Sequence, residues 1–243
     1  DGRFQNPVET KMGSDSASML GATIEFMRKG VERVPNQPIP SVPLDIAGLE
    51  AGNPEFRAVW LGHSTMLVVI DGVVILTDPV FSEQASPLPF GAKAFDYIEP
   101  YSLEDLPPVD IVLISHDHYD HLDYKTIVAL KDQVPQFVVP LGVGAHLERW
   151  GVAPEKIVEA DWWVSHSHGS LNLTATPARH FSGRGLTDRM ETLWASWVIE
   201  GSSAKVFYGG DSGYWDGFLE IGERFGPFDL VMLECGAYNK AWP

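Results

Sequence analysis

The 243-residue chain is 44% hydrophobic and 21% charged, with 23 Gly and 18 Pro, which excludes a collagen-like or disordered chain and fits one or two globular domains. Seventeen Lys and Arg against 33 Asp and Glu give a formal charge of −16, which repels phosphate backbones and argues against nucleic acid as a partner. The single cysteine, Cys235, excludes a disulfide-stapled fold, and no stretch reaches the roughly 20 apolar residues of a membrane-spanning helix.

Residues 1–55 read as an irregular N-terminal extension, punctuated by Pro7, Pro35, Pro38, Pro40, Pro43 and Pro54. One helix is expected inside it, where Leu20, Ile24, Met27 and Val31 recur at helical spacing and Gly30 lies near the stop. That stripe is expected to pack on the main body, with a lid or membrane-touching helix as the alternative. From residue 56 the texture changes to short apolar strands, predicted at Arg57–Gly62, Thr65–Ile70 and Val73–Thr77, with Asp71-Gly72 turning the last hairpin.

Further strands are predicted at Asp110–Ser115 and Phe137–Val139, with helices at Asp123–Gln133 and Val143–Trp150. The second half continues with strands at Ile157–Glu159, Leu171–Thr176, Leu193–Glu200, Lys205–Tyr208 and Asp229–Glu234, and a helix over Asp216–Phe225. Alternating strands and helices imply layers covering a sheet, an α/β fold. No linker divides the region, so residues 56–243 read as one domain, in which Cys235 is expected as a small buried residue.

Three of the eight histidines fall within six residues, His116-Asp117-His118-Tyr119-Asp120-His121, directly after the strand DIVLIS. His116 and His118, two apart in extended chain, project to one side and can grip one ion. Asp120 and His121 sit where the chain turns toward a helix and can face a second ion. Imidazole and carboxylate both suit zinc, and paired ions roughly 3.5–4 Å apart form a hydrolytic site. His180 and Asp211 end later strands, where open sheets place ligands.

HDHYDH is the H-x-H-x-D-H motif of the metallo-β-lactamase superfamily, and the chain resembles that superfamily's N-acylphosphatidylethanolamine-hydrolysing phospholipase D branch and its bacterial relatives. The segments WLGHST at 60–65, LTDPVF at 76–81, TPARHFSGRG at 176–185 and GGDSGY at 209–214 carry the branch resemblance, which runs from about Gly2 onward.

The resemblance implies a four-layer αββα sandwich, with His116, His118 and His180 on a first zinc, Asp120 and His121 on a second, and Asp211 bridging both. It implies two Zn2+ per complete chain, with Mn2+ or Fe2+ as alternatives, and a hydroxide between the ions as nucleophile, with Asp120 also orienting it. Relatives add one more histidine to the second zinc beyond the segment that ends here at Pro243. The chain is therefore expected to be a fragment, C-terminally incomplete in its last strands and helix, or to have its remainder in a separate segment.

His63, in a turn between strands, and Arg184, which can meet a phosphate bidentately, are substrate-binding candidates, each with a structural alternative. Asp78, ending a strand before Pro79, is the candidate to accept a ligand imidazole's second N–H. His166 and His168 read as surface histidines beside a Gly169-Ser170 turn, and His146 as structural. The function expected is a zinc-dependent phosphodiesterase of phospholipase D type. The alternatives are a lactonase or ester hydrolase, or a non-catalytic metal-binding scaffold. The expected partner is a small-molecule or phospholipid substrate, with peripheral membrane contact allowed and oligomeric state open. Localisation is open, with the cytoplasm favoured over a periplasmic or membrane-associated location, and the start at Asp1 allows a removed leader.

Overall fold

The computed structural model describes residues 2–10, 34–50, 56–86 and 93–236. The helix expected around Leu20–Val31 and the segment from residue 237 to 243 lie outside these residues. The first sheet has six strands in chain order: β1 (Phe56–Gly62), β2 (Thr65–Ile70), β3 (Val73–Thr77), β4 (Ile111–Leu113), β5 (Gln136–Pro140) and β6 (Ile157–Ala160). Its first three strands form an antiparallel meander and its last four are parallel. The second sheet has the order β11-β10-β9-β8-β7, from β7 (Ser165–His168), β8 (Leu171–Thr176), β9 (Ser196–Glu200), β10 (Lys205–Tyr208) and β11 (Leu230–Met232).

Period-two alternation explains the layers. On β2, Leu67 and Val69 join an outer cluster with Ile127 and Leu130 of α2 (Tyr124–Leu130) and Leu147 of α3 (Gly144–Arg149). The intervening Val68 and Ile70 face a central cluster with Leu173, Trp197 and Val206 of the second sheet. A third cluster covers that sheet's other face, where Ile221 of α4 (Gly217–Phe225) meets Val198 and Phe207. Helices, sheet, sheet and helix thus stack as the expected αββα sandwich.

Local chemistry sets the element ends. Asp71 and Gly72, both at positive φ (52° and 81°), make the two-residue turn between β2 and β3. The Asp71 carboxylate then accepts the Ser202 and Ser203 N–H groups, joining the sheets at that end. Asp123 caps α2 by accepting the Lys125 N–H at 3.2 Å.

Three differences from the expected elements have physical reasons. β7 reads SHSH and lacks the apolar alternation that marks a strand; pairing with β8 makes it one. β9 starts at Ser196 rather than Leu193, because Leu193 N–H donates to Leu141 and Ala195 N–H to Ser115, both on the first-sheet side. Cys235 is exposed, because β11 ends at Met232 and the following residues leave the sheet. A short helix α1 (Ile46–Glu50) also sits within the extension, its first turn held by Asp45 accepting the Gly48 N–H.

Trp197 is fully buried and donates its indole N–H to the Ile114 carbonyl at 2.8 Å across the sheets. Trp197→Phe is expected to lower the unfolding free energy by about 1–3 kcal/mol through that orphaned carbonyl alone. Urea denaturation should give a lower midpoint.

Candidate metal centre

Topology brings the predicted site residues to one edge. β3 and β4 are parallel, so Asp78, just past β3, and His116, just past β4, leave the first sheet at the same end. β2 runs antiparallel to β3, which places His63, in the β1–β2 turn, at that end too. In the second sheet β8 and β10 both pair antiparallel with β9, so His180 and Asp211 leave together. The Ser115 carbonyl accepts the Ala195 N–H at 2.9 Å and knits the two ends.

Gly210, at φ 56°, allows this closure, because a Cβ there would lie 2.6 Å from Ser115 Cβ. His63 sits at φ 43° after an irregularity in the β1–β2 register, a turn fixed by Trp60 Nε1 donating to the His63 carbonyl at 2.8 Å.

Among the described residues three groups bring ligand atoms within 4.8 Å of one another: His116 with His118 and His180, His63 with Asp120 and His121, and Asp78 with His116 and His121. In the first, His118 Nδ1 lies 2.8 Å from His116 Nε2 and 3.2 Å from His180 Nε2. Asp211 lies between the first two groups, with Oδ1 3.3 Å from His121 Nε2 and Oδ2 3.7 Å from His180 Nε2. His63 Nε2 is 3.2 Å from Asp120 Oδ2, with its side chain 57% exposed.

Asp78 organises the centre from beneath. It is fully buried; its Oδ1 accepts the Ser115 N–H at 2.7 Å, and its Oδ2 faces His121 Nδ1 at 2.7 Å and the Tyr208 hydroxyl at 2.6 Å. The Ser115 hydroxyl bridges from Asp78 to His116 Nδ1. His116 and His121 therefore have one nitrogen engaged below and the other aimed into the centre.

The donor set fits divalent ions. Three imidazole nitrogens converging at 2.8–3.2 Å approach the edge of about 3.3 Å that a tetrahedron with Zn–N bonds of roughly 2.0–2.1 Å requires. His121 Nε2 is buried and turned toward Asp211 Oδ1 at 3.3 Å. Burial, then neighbouring imidazoles, holds His116 well below the usual histidine range, and burial brings His180 to about 4, so both present lone pairs. Burial opposes ionisation of Asp120 and Asp211, but hydrogen bonds from His63 and His121 overcome it and leave both below the ordinary carboxylate range. Burial also works to discharge His121; its Asp211 and Asp78 partners outweigh that and raise it well above the usual range.

Arg184 lies behind the ligand loop. Its guanidinium donates to the Asp117 and Leu122 carbonyls at 2.6 and 2.8 Å and stacks 4.0 Å above the Tyr119 ring. It lines a cleft of about 1250 Å³ shared with Tyr124, His146 and Trp150, which holds none of the ligands named above. The converging histidines and carboxylates, not that cleft, form the candidate site.

Two residues escaped the sequence. Asp117 is buried; it accepts the Gly183 N–H at 2.7 Å and meets His146 Nε2 at 3.4 Å, tying the His180 turn to the histidine loop. Its position between His116 and His118 hid it, because its side chain alternates away from theirs. Glu234 follows β11 and hydrogen-bonds Asp211; lost solvation and then that carboxylate push it up to about 7. Its signal was its place past a strand parallel to β10. His166 and His168 stand apart on β7, both at Gln136 Oε1 (3.1 and 2.7 Å).

Comparison with known proteins agrees with this fold. The family described as "Beta-lactamase superfamily domain" matches residues 74–243. An uncharacterized protein of Mycobacterium tuberculosis is 49% identical over 250 residues, covering 100% of this chain and 65% of its own length. N-acyl-phosphatidylethanolamine-hydrolyzing phospholipase D 1 of Caenorhabditis elegans is 39% identical over 196 residues, covering 76% of this chain and 55% of its own length. The chain thus spans between half and two thirds of these curated relatives. Among solved structures, CmlA, a diiron beta-hydroxylase from Streptomyces venezuelae, is 27% identical with a TM-score of 0.58, covering 74% of this chain and 34% of that one. The chain therefore belongs to the metallo-β-lactamase superfamily, in the branch that resembles the N-acyl-phosphatidylethanolamine-hydrolysing phospholipases D.

Proposed function

We propose that the chain is the metal-binding body of a zinc-dependent phosphodiesterase of phospholipase D type. The observation that carries this reading is the Asp211 carboxylate, which turns one oxygen toward His121 and the other toward His180. A carboxylate between two ligand groups suits a pair of ions. His116, His118 and His180 hold the first, Asp120 and His121 the second, and Asp211 reaches both. Bound there, divalent ions supply Lewis acidity to a phosphoryl or carbonyl oxygen and acidify water to near neutrality.

The protein's own residues orient and expose this site. Asp78 and the Ser115 hydroxyl fix the ring planes of His121 and His116. His63 stands at the mouth, its ring half open to solvent beside Asp120, in place to touch a substrate. Arg184 acts by holding the Asp117 and Leu122 carbonyls of the ligand loop.

A lipid as substrate draws support from exposed side chains near these residues in the chain. Trp60, 51% exposed, precedes His63; Leu186, fully exposed, follows His180; Tyr214, 82% exposed, follows Asp211. Exposed apolar side chains close in sequence to His63, His180 and Asp211 suit an amphiphile.

The test is a zinc-loaded chain offered glycerophospholipid diesters and a lactone panel in parallel. Phosphodiester cleavage lost on chelation and restored by zinc is expected. Lactone turnover without diester turnover would move the assignment to a lactonase, and full activity after verified metal removal would refute it.

A further inference from the structure

The metal ligand His180 stands beyond the sheet that delivers it, since β8 ends at Thr176. Its backbone is nevertheless bonded on both sides by a single residue from the start of the chain. Asn6 Nδ2 donates to the His180 carbonyl at 2.8 Å, and His180 N–H donates to Asn6 Oδ1 at 2.9 Å. One side-chain amide thus reproduces the reciprocal pair that a neighbouring strand would make, across 174 residues of sequence. Asn and Gln carry an acceptor and a donor side by side on one planar amide, and Asn is the shorter. Pro7 restrains the backbone of Asn6 to extended conformations, which presents that amide ready-made.

The bonds around it run along the same turn. Phe4 N–H donates to the Met190 carbonyl at 2.8 Å and Arg3 to the Thr187 carbonyl at 3.0 Å, while Arg179 Nε donates to Thr10 Oγ1 at 3.2 Å. Residues 3–10 lie as a strap over the 179–190 turn, with Asn6 seated on the ligand itself.

We propose that Asn6 is a positioning residue for the first metal ion, setting where His180 meets His116 and His118. This rests on the reading of those three histidines as ligands. It predicts a selective effect: removing the amide loosens His180 while leaving Asp120 and His121 untouched.

The experiment measures zinc affinity of each site by chelator competition, with cobalt substitution to read the ligand field, in the full chain and in Asn6→Ala, Asn6→Asp and Thr10→Ala. Asn6→Ala is expected to weaken the first ion about 10- to 100-fold, the effect of losing an outer partner of a ligand, and to change the cobalt absorption, with the second ion within about twofold. Asn6→Asp keeps the acceptor and loses the donor, and should fall between; Thr10→Ala, which breaks the strap at the Arg179 side chain and leaves the Asn6 pair on His180 in place, should bind like the parent. First-ion affinity unchanged in Asn6→Ala, or both ions weakened equally, overturns the proposal. If Asn6→Ala fails to fold, Asn6→Asp decides on the same criteria. A parent chain that binds no zinc would refute the ligand reading itself, and this inference with it.

Discussion

His118→Ala is expected to release the first ion and abolish turnover. His118 Nδ1 is the atom that meets both His116 Nε2 and His180 Nε2, so its loss leaves the first ion two imidazoles and the shared Asp211 carboxylate. Losing an outer partner of a ligand costs roughly 10–100-fold in metal affinity, and losing a ligand should exceed that. His118 is only partly buried, so the variant should fold. Isothermal titration with zinc, alongside thermal unfolding of the metal-free protein, measures both consequences. Retained stoichiometry and near-parent turnover would show that His118 is not a ligand.

Asp78→Ala is expected to have the largest effect on stability. The carboxylate is fully buried and faces the Ser115 N–H and hydroxyl, His121 Nδ1 and the Tyr208 hydroxyl. Its removal strands those donors in the core and leaves His121 without its lower anchor. Breaking a buried, hydrogen-bonded charge pair from one side costs about 3–5 kcal/mol. The second ion should weaken too, because His121 loses its orientation. Asp78→Asn retains an acceptor for Ser115 and should lie between parent and Asp78→Ala in the denaturation midpoint. An Asp78→Ala midpoint equal to the parent's would contradict this account of the centre's foundation.

Much of the fold was legible because β2, β3 and β8 are short runs of strand-forming residues buried at nearly every position, and their observed ends coincide with those read from their residues. What escaped was held by partners rather than pattern. SHSH becomes β7 by pairing with β8, and Leu193 to Ala195 leave the strand because their N–H groups reach across to Leu141 and Ser115. In the site, H-x-H-x-D-H announces itself by its density of histidines. Asp117 and Asn6 do not, because each acts on another residue's backbone, and no local spacing records a contact made 174 residues away. Arg184 shows the same limit: its residue type allowed a phosphate contact or a role in fixing the turn, and only the folded chain shows its bonds to the Asp117 and Leu122 carbonyls.

Anomalous diffraction at the zinc edge from crystals of the zinc-loaded chain tests the central claim most directly. Two peaks are expected, one among His116, His118 and His180 and one beside Asp120 and His121, with Asp211 between them. An absence of signal at these residues, or a lone peak at His166 and His168, would contradict it.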